Sequence, residues 1–311
     1  MLSCHQIDDI LKKKRNTMKK VLFSVLAATL MLTVTQPAQA EDQKVLAIID
    51  SAINSNNFPS IIQEACFTAN DSFALNVGGS VLCPNGSTFM EGKGAAGNKI
   101  WPASVNNAVY HGDTMVKSAL TVNPNLKIVF VRISNLDKTG GINAFSNRTI
   151  ELALDWVSKN AEKYSIDAVS VSQSSLALNR CSSDTVTIGA VTSLTSNNVP
   201  VFVATGNDRR QDVVGFPSCV NGAVGVGALG TATQLEKSTN TGPGLDMVAL
   251  TGVKIPKYNR PVATAEPVYG SSVATALTAA SYVNRNTFKT FGEYLTSLPK
   301  ILIGTASYTR N

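Results

Sequence analysis

Short, almost wholly apolar runs recur along the chain, and between them apolar positions fall at helical intervals. Lys44–Asp50 (KVLAIID), Leu126–Ile133 (LKIVFVRI) and Val199–Thr205 (VPVFVAT) are apolar without alternation, the pattern of strands covered on both faces, and Ala168–Ser172 (AVSVS) reads as a further strand among them. Asn221–Ala228 and Leu245–Leu250 read as two shorter strands. Helices are expected at Ser60–Ala65 (short, among loops), His111–Leu120, Asn147–Tyr164 and Thr185–Ser196. Another opens near Ser272, and a last one around Phe291–Leu298 is expected to end the regular structure. Strands alternating with helices imply βαβ units: an α/β fold, mostly a parallel sheet with helices on both faces. Function in such sheets gathers at the carboxyl ends of strands. Asp50, Ser172-Gln173-Ser174 and Gly206-Asn207 all fall there.

Residues 18–40 stand apart from this pattern. Lys19 and Lys20 precede an apolar run from Val21 to about Val34, and the segment closes on Pro37-Ala38-Gln39-Ala40. That is the form of a bacterial secretory signal peptide, with cleavage expected after Ala40. Residues 1–17 precede a second methionine, Met18, and read as a non-structural extension. Residues 41–311 are expected to form one domain, exported to the periplasm or beyond, with no evident pro-segment before the first strand. The leader also changes the reading of charge. It holds Lys12, Lys13, Lys14, Arg15, Lys19 and Lys20 against Asp8 and Asp9, so most of the net charge of +6 leaves with it. Nothing in the remainder points to nucleic acid.

Four cysteines remain after Cys4 is lost: Cys66, Cys83, Cys181 and Cys219. An even number in an exported protein suits two disulfides, for which three pairings exist. The favoured pairing is Cys66–Cys83, closing a loop, with Cys181–Cys219. No CxxC pair or His/Cys cluster suggests a metal site. Apart from His5 in the leader, the single histidine is His111. One imidazole can serve one acid–base centre.

A serine hydroxyl becomes a nucleophile when a base takes its proton, and the base needs a carboxylate to hold its tautomer. Asp50 at a strand end, His111 at a helix start and Ser272 at another helix start supply those parts in the order Asp, His, Ser. Five motifs then carry a resemblance. Val45–Asn54 (VLAIIDSAIN) resembles an apolar strand ending in Asp-Ser/Thr-Gly, and His111–Val116 resembles His-Gly-Thr-His-Val. Ala204–Asp208 resembles Ala-Ala-Gly-Asn, and Phe216–Ser218 followed by Ala223–Ala228 resembles Tyr-Pro-Ala/Ser and Val-Ile-Ala-Val-Gly-Ala. Gly270–Ala274 resembles Gly-Thr-Ser-Met-Ala. In this order they are those of the subtilisin-like serine peptidases, the subtilases.

The resemblance implies a three-layer fold and a secreted endopeptidase working through an acyl-enzyme. Asp50, His111 and Ser272 would be its triad and Asn207 an oxyanion donor. Ser172, Gln173 and Ser174 would form an edge strand pairing with an extended substrate, and Ala204, Thr205 and Gly206 would line the pocket before the cleaved bond. No cofactor is required; structural calcium is common in the family, but no Asp/Asn loop singles out a site. Partners would be protein or peptide substrates, and with no pro-segment evident the chain either folds unaided or has a separate folding helper or inhibitor. The departures are Ala52 for the glycine after Asp-Ser, Asp113-Thr114 for Thr-His, and Thr275-Ala276 for Ser-Pro. Asp113 could raise the imidazole pKa or cap its helix. These departures motivate the alternative of a catalytically weak subtilase-fold binding or inhibitory protein. An esterase using Ser51 is disfavoured, because no histidine follows residue 111.

Overall fold

Side chains of successive strand residues point to opposite faces, so a strand buried on both sides feeds two separate cores. In strand β1 (Val45–Asp50), Leu46 and Ile48 enter one core, while Val45, Ala47 and Ile49 enter the other. Strands β4 (Lys127–Arg132), β5 (Ala168–Val171) and β6 (Val201–Ala204) divide in the same way. The first core is closed by helix α1 (His111–Val122) and by α5 (Ser271–Val283), which packs against it. The second is closed by α2 (Asn147–Asn160) and α4 (Thr185–Ser196), also packed together. Asp50 continues the Leu46–Ile48 alternation and therefore faces α1 and α5.

The computed structural model describes residues 43–69, 82–97, 111–133, 145–255, 265–285, 290–303 and 306–310. The expected extension and signal peptide lie outside these residues. Lys44–Asn311 cluster as one unit. Further elements are β2 (Ile61–Phe67), β3 (Phe89–Glu91), α3 (Arg180–Ser183), β7 (Ala223–Thr231), β8 (Gln234–Leu235) and β9 (Met247–Leu250). They are followed by β10 (Val253–Ile255), β11 (Glu266–Val268), α6 (Phe291–Ser297), β12 (Lys300–Ile303) and β13 (Ala306–Arg310). Among the described residues the main sheet runs β12-β13-β9-β7-β6-β5-β1-β4-β2-β3, with β8 beside β7. The β13-β9-β7-β6-β5-β1-β4-β2 stretch is parallel throughout. From β1 the strands continue through β5 and β6 on one side and through β4 on the other. The order thus reverses at β1, and the crevice beyond the carboxyl end of such a strand is where open α/β sheets bind ligands.

Two expectations are corrected. Ser60–Ala65 is not a short helix; Ile61–Phe67 is a strand, parallel to β4 and antiparallel to β3. Paired β-branched residues (Ile61, Ile62) and a buried Ala65-Cys66-Phe67 end suit a pleated surface better than a single helical turn. Nor does α6 end the regular structure, since β12 and β13 add a hairpin to the sheet beyond β9. Helix α5 is buried on nearly every side, lying between the sheet and α1. Its small residues (Ala274, Ala276, Ala279, Ala280) permit that close packing, and within Ser271–Ala280 every residue but Ser272 is buried. At its far end Tyr282 meets Phe202, Phe291 and Tyr294 with ring centroids 5.2–5.7 Å apart. Disulfides join Cys66 to Cys83 and Cys181 to Cys219. The second spans 38 residues, and closing a loop of that size restricts the unfolded chain by roughly 3–4 kcal/mol.

Candidate active site

Asp50 is fully buried at the end of β1. Its Oδ1 accepts the Ser51 N–H (2.6 Å) and lies 2.8 Å from His111 Nδ1. His111 is the first residue of α1, brought there by the residue after it. A Cβ on Gly112 would stand 2.7 Å from Phe130 Cζ, 2.9 Å from the Ala52 carbonyl oxygen and 2.9 Å from Ile53 Cγ2. Only glycine lets the helix begin so close to the end of β1. The Gly112 N–H then donates to Ser51 Oγ (3.0 Å), so Ser51 braces both the acid and the helix carrying the imidazole. Burial works to lower the His111 pKa, but the Asp50 charge and hydrogen bond outweigh it and leave the imidazole more basic than usual. Asp113 takes no part in that shift. Its Oδ1 accepts the Asn54 N–H (2.9 Å), pinning the segment after β1, and burial pushes its carboxyl up to about 6 against the Asn54 bond and Lys117.

Ser272 is the second residue of α5. Gly270 precedes the helix at φ 108°, a left-handed conformation that favours glycine. Its missing side chain also leaves room for Asn207, whose Nδ2 would lie 3.2 Å from a Cβ. The Ser272 hydroxyl donates to the Ser172 carbonyl (2.8 Å), and the Ser172 hydroxyl donates back to the Ser272 carbonyl (3.2 Å). Asn207 Oδ1 accepts both the N–H (3.0 Å) and the hydroxyl (3.1 Å) of Ser271. Those bonds fix which end of the amide is oxygen, so Nδ2 is left as a donor on the exposed side of the helix start. Ser271 Oγ also accepts the Gly206 N–H (3.2 Å). Ser271 thus joins the loop after β6 to the helix of Ser272.

The other residues expected at the site surround this pair. Ser172–Ser174 do not form an edge strand: they follow β5, an inner strand between β1 and β6. Just beyond them Ser175 exchanges two backbone hydrogen bonds with Phe216 (2.9 and 2.7 Å). Gln173 reaches back, its Nε2 lying 3.2 Å from His111 Nδ1 and 3.4 Å from Asp50 Oδ1. Ala204, Thr205 and Gly206 lead out of β6 and are buried. A residue with no signal in the sequence holds that exit. Buried Asn240 donates to the Thr205 carbonyl (3.1 Å) and Asp208 Oδ2 (2.9 Å), and accepts from the N–H groups of Asp208 (2.8 Å) and Arg210 (3.1 Å). It clamps the loop carrying Asn207 from both ends. Ser271 could have been found from its place between Gly270 and Ser272; Asn240, far along the chain, could not.

Comparison with known proteins adds three findings. A model of the subtilase family matches residues 95–284. No curated protein sequence matches the chain. Among solved structures, a protease of Pseudoalteromonas arctica is 20% identical, with a TM-score of 0.53 over 76% of this chain and 75% of that one. A lanthipeptide protease is 16% identical, with a TM-score of 0.52 over 76% and 71%. At these identities the likeness is one of fold.

Proposed function

The chain belongs to the subtilase family, and from that premise we propose that it is an exported serine endopeptidase whose triad is Asp50, His111 and Ser272. The observation that carries the reading is the buried Asp50 carboxylate bonded to the His111 imidazole at the end of β1, with the helix-start Ser272 held by its bond to Ser172 at the end of the adjacent strand β5. In the proposed reaction Ser272 Oγ turns from the Ser172 carbonyl, gives its proton to His111 Nε2 and bonds to the peptide carbonyl carbon. The oxyanion is met by the Asn207 Nδ2–H and the Ser272 N–H, the latter with the α5 dipole behind it. His111 then protonates the departing amine, and water, deprotonated by the same imidazole, hydrolyses the acyl-enzyme. The chemistry is complete with these side chains and calls for no cofactor. Extended substrate backbone would lie along Ser172–Ser174, with Ala204–Gly206 at the pocket for the residue before the cleaved bond. Two disulfides suit the oxidising compartment that export would reach. Among the described residues, no helix is long and apolar enough to cross a membrane.

A fluorophosphonate tests the reading: it should modify Ser272 in the folded protein, as located by mass spectrometry of the labelled peptide. A folded chain that takes no label would overturn it. The second reading, a weakly catalytic subtilase-fold binding or inhibitory protein, draws on the Ser272 hydroxyl being bonded to Ser172. It fails if a protein substrate is turned over and Ser272→Ala abolishes the turnover.

Asn207→Asp tests the oxyanion donor separately. The substitution keeps an acceptor for the Ser271 N–H but removes the amide donor and sets a carboxylate against the developing charge. We expect kcat to fall at least about a hundredfold, with KM changed far less. A fall confined to KM would remove Asn207 from the oxyanion site.

A further inference from the structure

Among the described residues, Gln173 is a neutral side chain whose amide nitrogen lies within reach of both partners of the Asp50–His111 contact. An amide nitrogen can only donate, and an amide oxygen in its place would face Asp50 Oδ1 with no proton between them. A donor is therefore aimed at two atoms that share a single proton. With that proton on Nδ1, it runs to Asp50 Oδ1, and Gln173 donates to the same oxygen beside the Ser51 N–H. With Nδ1 bare, two acceptors would stand 2.8 Å apart, so the Asp50 contact itself keeps the proton on Nδ1. The buried Asp50 Oδ2 has no hydrogen-bond partner among the described residues, so Oδ1 carries all of these contacts.

We propose that Gln173 is a positioning residue for the Asp50–His111 pair, its amide donating to Asp50 Oδ1 and so holding the carboxylate that orients the imidazole. This rests on the reading of His111 as the general base, and it gives Gln173 a role apart from contact with substrate. The same N–H has a second effect of known sign. Its dipole sets positive charge beside the ring and draws on the Asp50 oxygen that stabilises the imidazolium. Both effects disfavour the charged ring, so Gln173 restrains the basicity that Asp50 confers. The charged groups around His111 stay in place when Gln173 is changed: Asp50 from β1, Asp113 and Lys117 on α1, and Arg132 beside Asp50 in the β1–β4 register. Helix α5, packed against α1, carries no Asp, Glu, Lys or Arg.

The test is the titration of the His111 ring followed by NMR at Cε1–H in the wild type, Gln173→Leu and Gln173→Glu. His5 and His111 are the only histidines, so the resonance is assigned by its absence in His111→Gln. The midpoint should rise by about half to one pH unit in Gln173→Leu and further in Gln173→Glu, where a carboxylate replaces the donor. The acid limb of kcat/KM should move with it, and kcat should fall about tenfold with KM little changed. Gln173→Glu is nearly isosteric and keeps the measurement available if the leucine variant folds poorly. An unchanged midpoint, with KM alone affected, would overturn the proposal and make Gln173 a substrate contact. The ring titration does not depend on turnover. An inactive protein that shows the shift would refute the peptidase reading alone, and an active one without it would refute the role of Gln173 alone.

Discussion

Ser272→Ala is expected to lower the kcat for peptide-bond hydrolysis by about a millionfold, leaving only the modest acceleration that binding and oxyanion donors give without a nucleophile. The physical case rests on what the substitution removes and what it leaves. Ser272 is the one residue of Ser271–Ala280 that is not buried. Losing its hydroxyl breaks a single bond to the Ser172 carbonyl and creates no cavity in the packed helix. Alanine is also the better helix former, so the fold should be kept. Asn207 keeps its bonds to Ser271 and Asp50 keeps His111. The comparison is therefore one of nucleophile against none. His111→Ala should cost nearly as much, and the double variant scarcely more than either, because nucleophile and base act as one unit. Turnover of a chromogenic peptide by the three variants, with circular dichroism to establish folding, measures this. Independent, additive losses would show that Ser272 and His111 do not act together.

Much of this site could be read from the chain, and the limits of that reading have physical causes. The strands β1, β4 and β6 are visible because both of their faces are buried, which makes the runs nearly continuously apolar. That same continuity hides which face each residue takes. The side of the sheet that Asp50 occupies is fixed by Leu46 and Ile48, which lie in the core of α1 and α5. Strand β2 is hidden in the sequence because Ile61–Phe67 mixes Gln63 and Glu64 with apolar residues. In the fold Glu64 is buried and accepts the N–H groups of Gly94 and Ala96 (3.0 Å each). A polar residue satisfied by a distant loop erases the local pattern. Gly112 reads as an ordinary helix-start glycine until Phe130 and Ala52 are seen against it. Asn240 is the extreme case, since all its work is done on residues 205–210. Local motifs mark the proposed reacting groups, whereas the groups that hold them in place arrive from elsewhere in the chain.

Asp50→Asn should lower kcat by about ten-thousandfold, and it should also move the acid limb of the pH profile in a stated direction. His111 is more basic than an ordinary imidazole because the Asp50 charge and hydrogen bond outweigh the effect of burial. Asparagine removes the charge while keeping the size of the side chain, so burial prevails and the ring titrates at a lower pH. With the neutral ring as the proposed base, the little activity that remains should persist to more acid pH than in the wild type. The loss in kcat has two sources. The imidazolium formed on the way to the acyl-enzyme loses its counter-charge inside the protein. The new amide must also choose between two faults. Keeping its oxygen toward the Ser51 N–H (2.6 Å in the wild type) puts an NH₂ at the buried position of Oδ2, which has no hydrogen-bond partner among the described residues. Turning the NH₂ toward His111 instead makes Nδ1 an acceptor and places the ring proton on Nε2, where it blocks transfer from Ser272. Either fault weakens the base without disturbing the nucleophile, so fluorophosphonate labelling of Ser272 should slow but still go to completion. Measuring kcat against pH for both proteins decides the matter. An acid limb that stays put, or a kcat within tenfold of wild type, would mean that Asp50 is not the partner on which His111 depends.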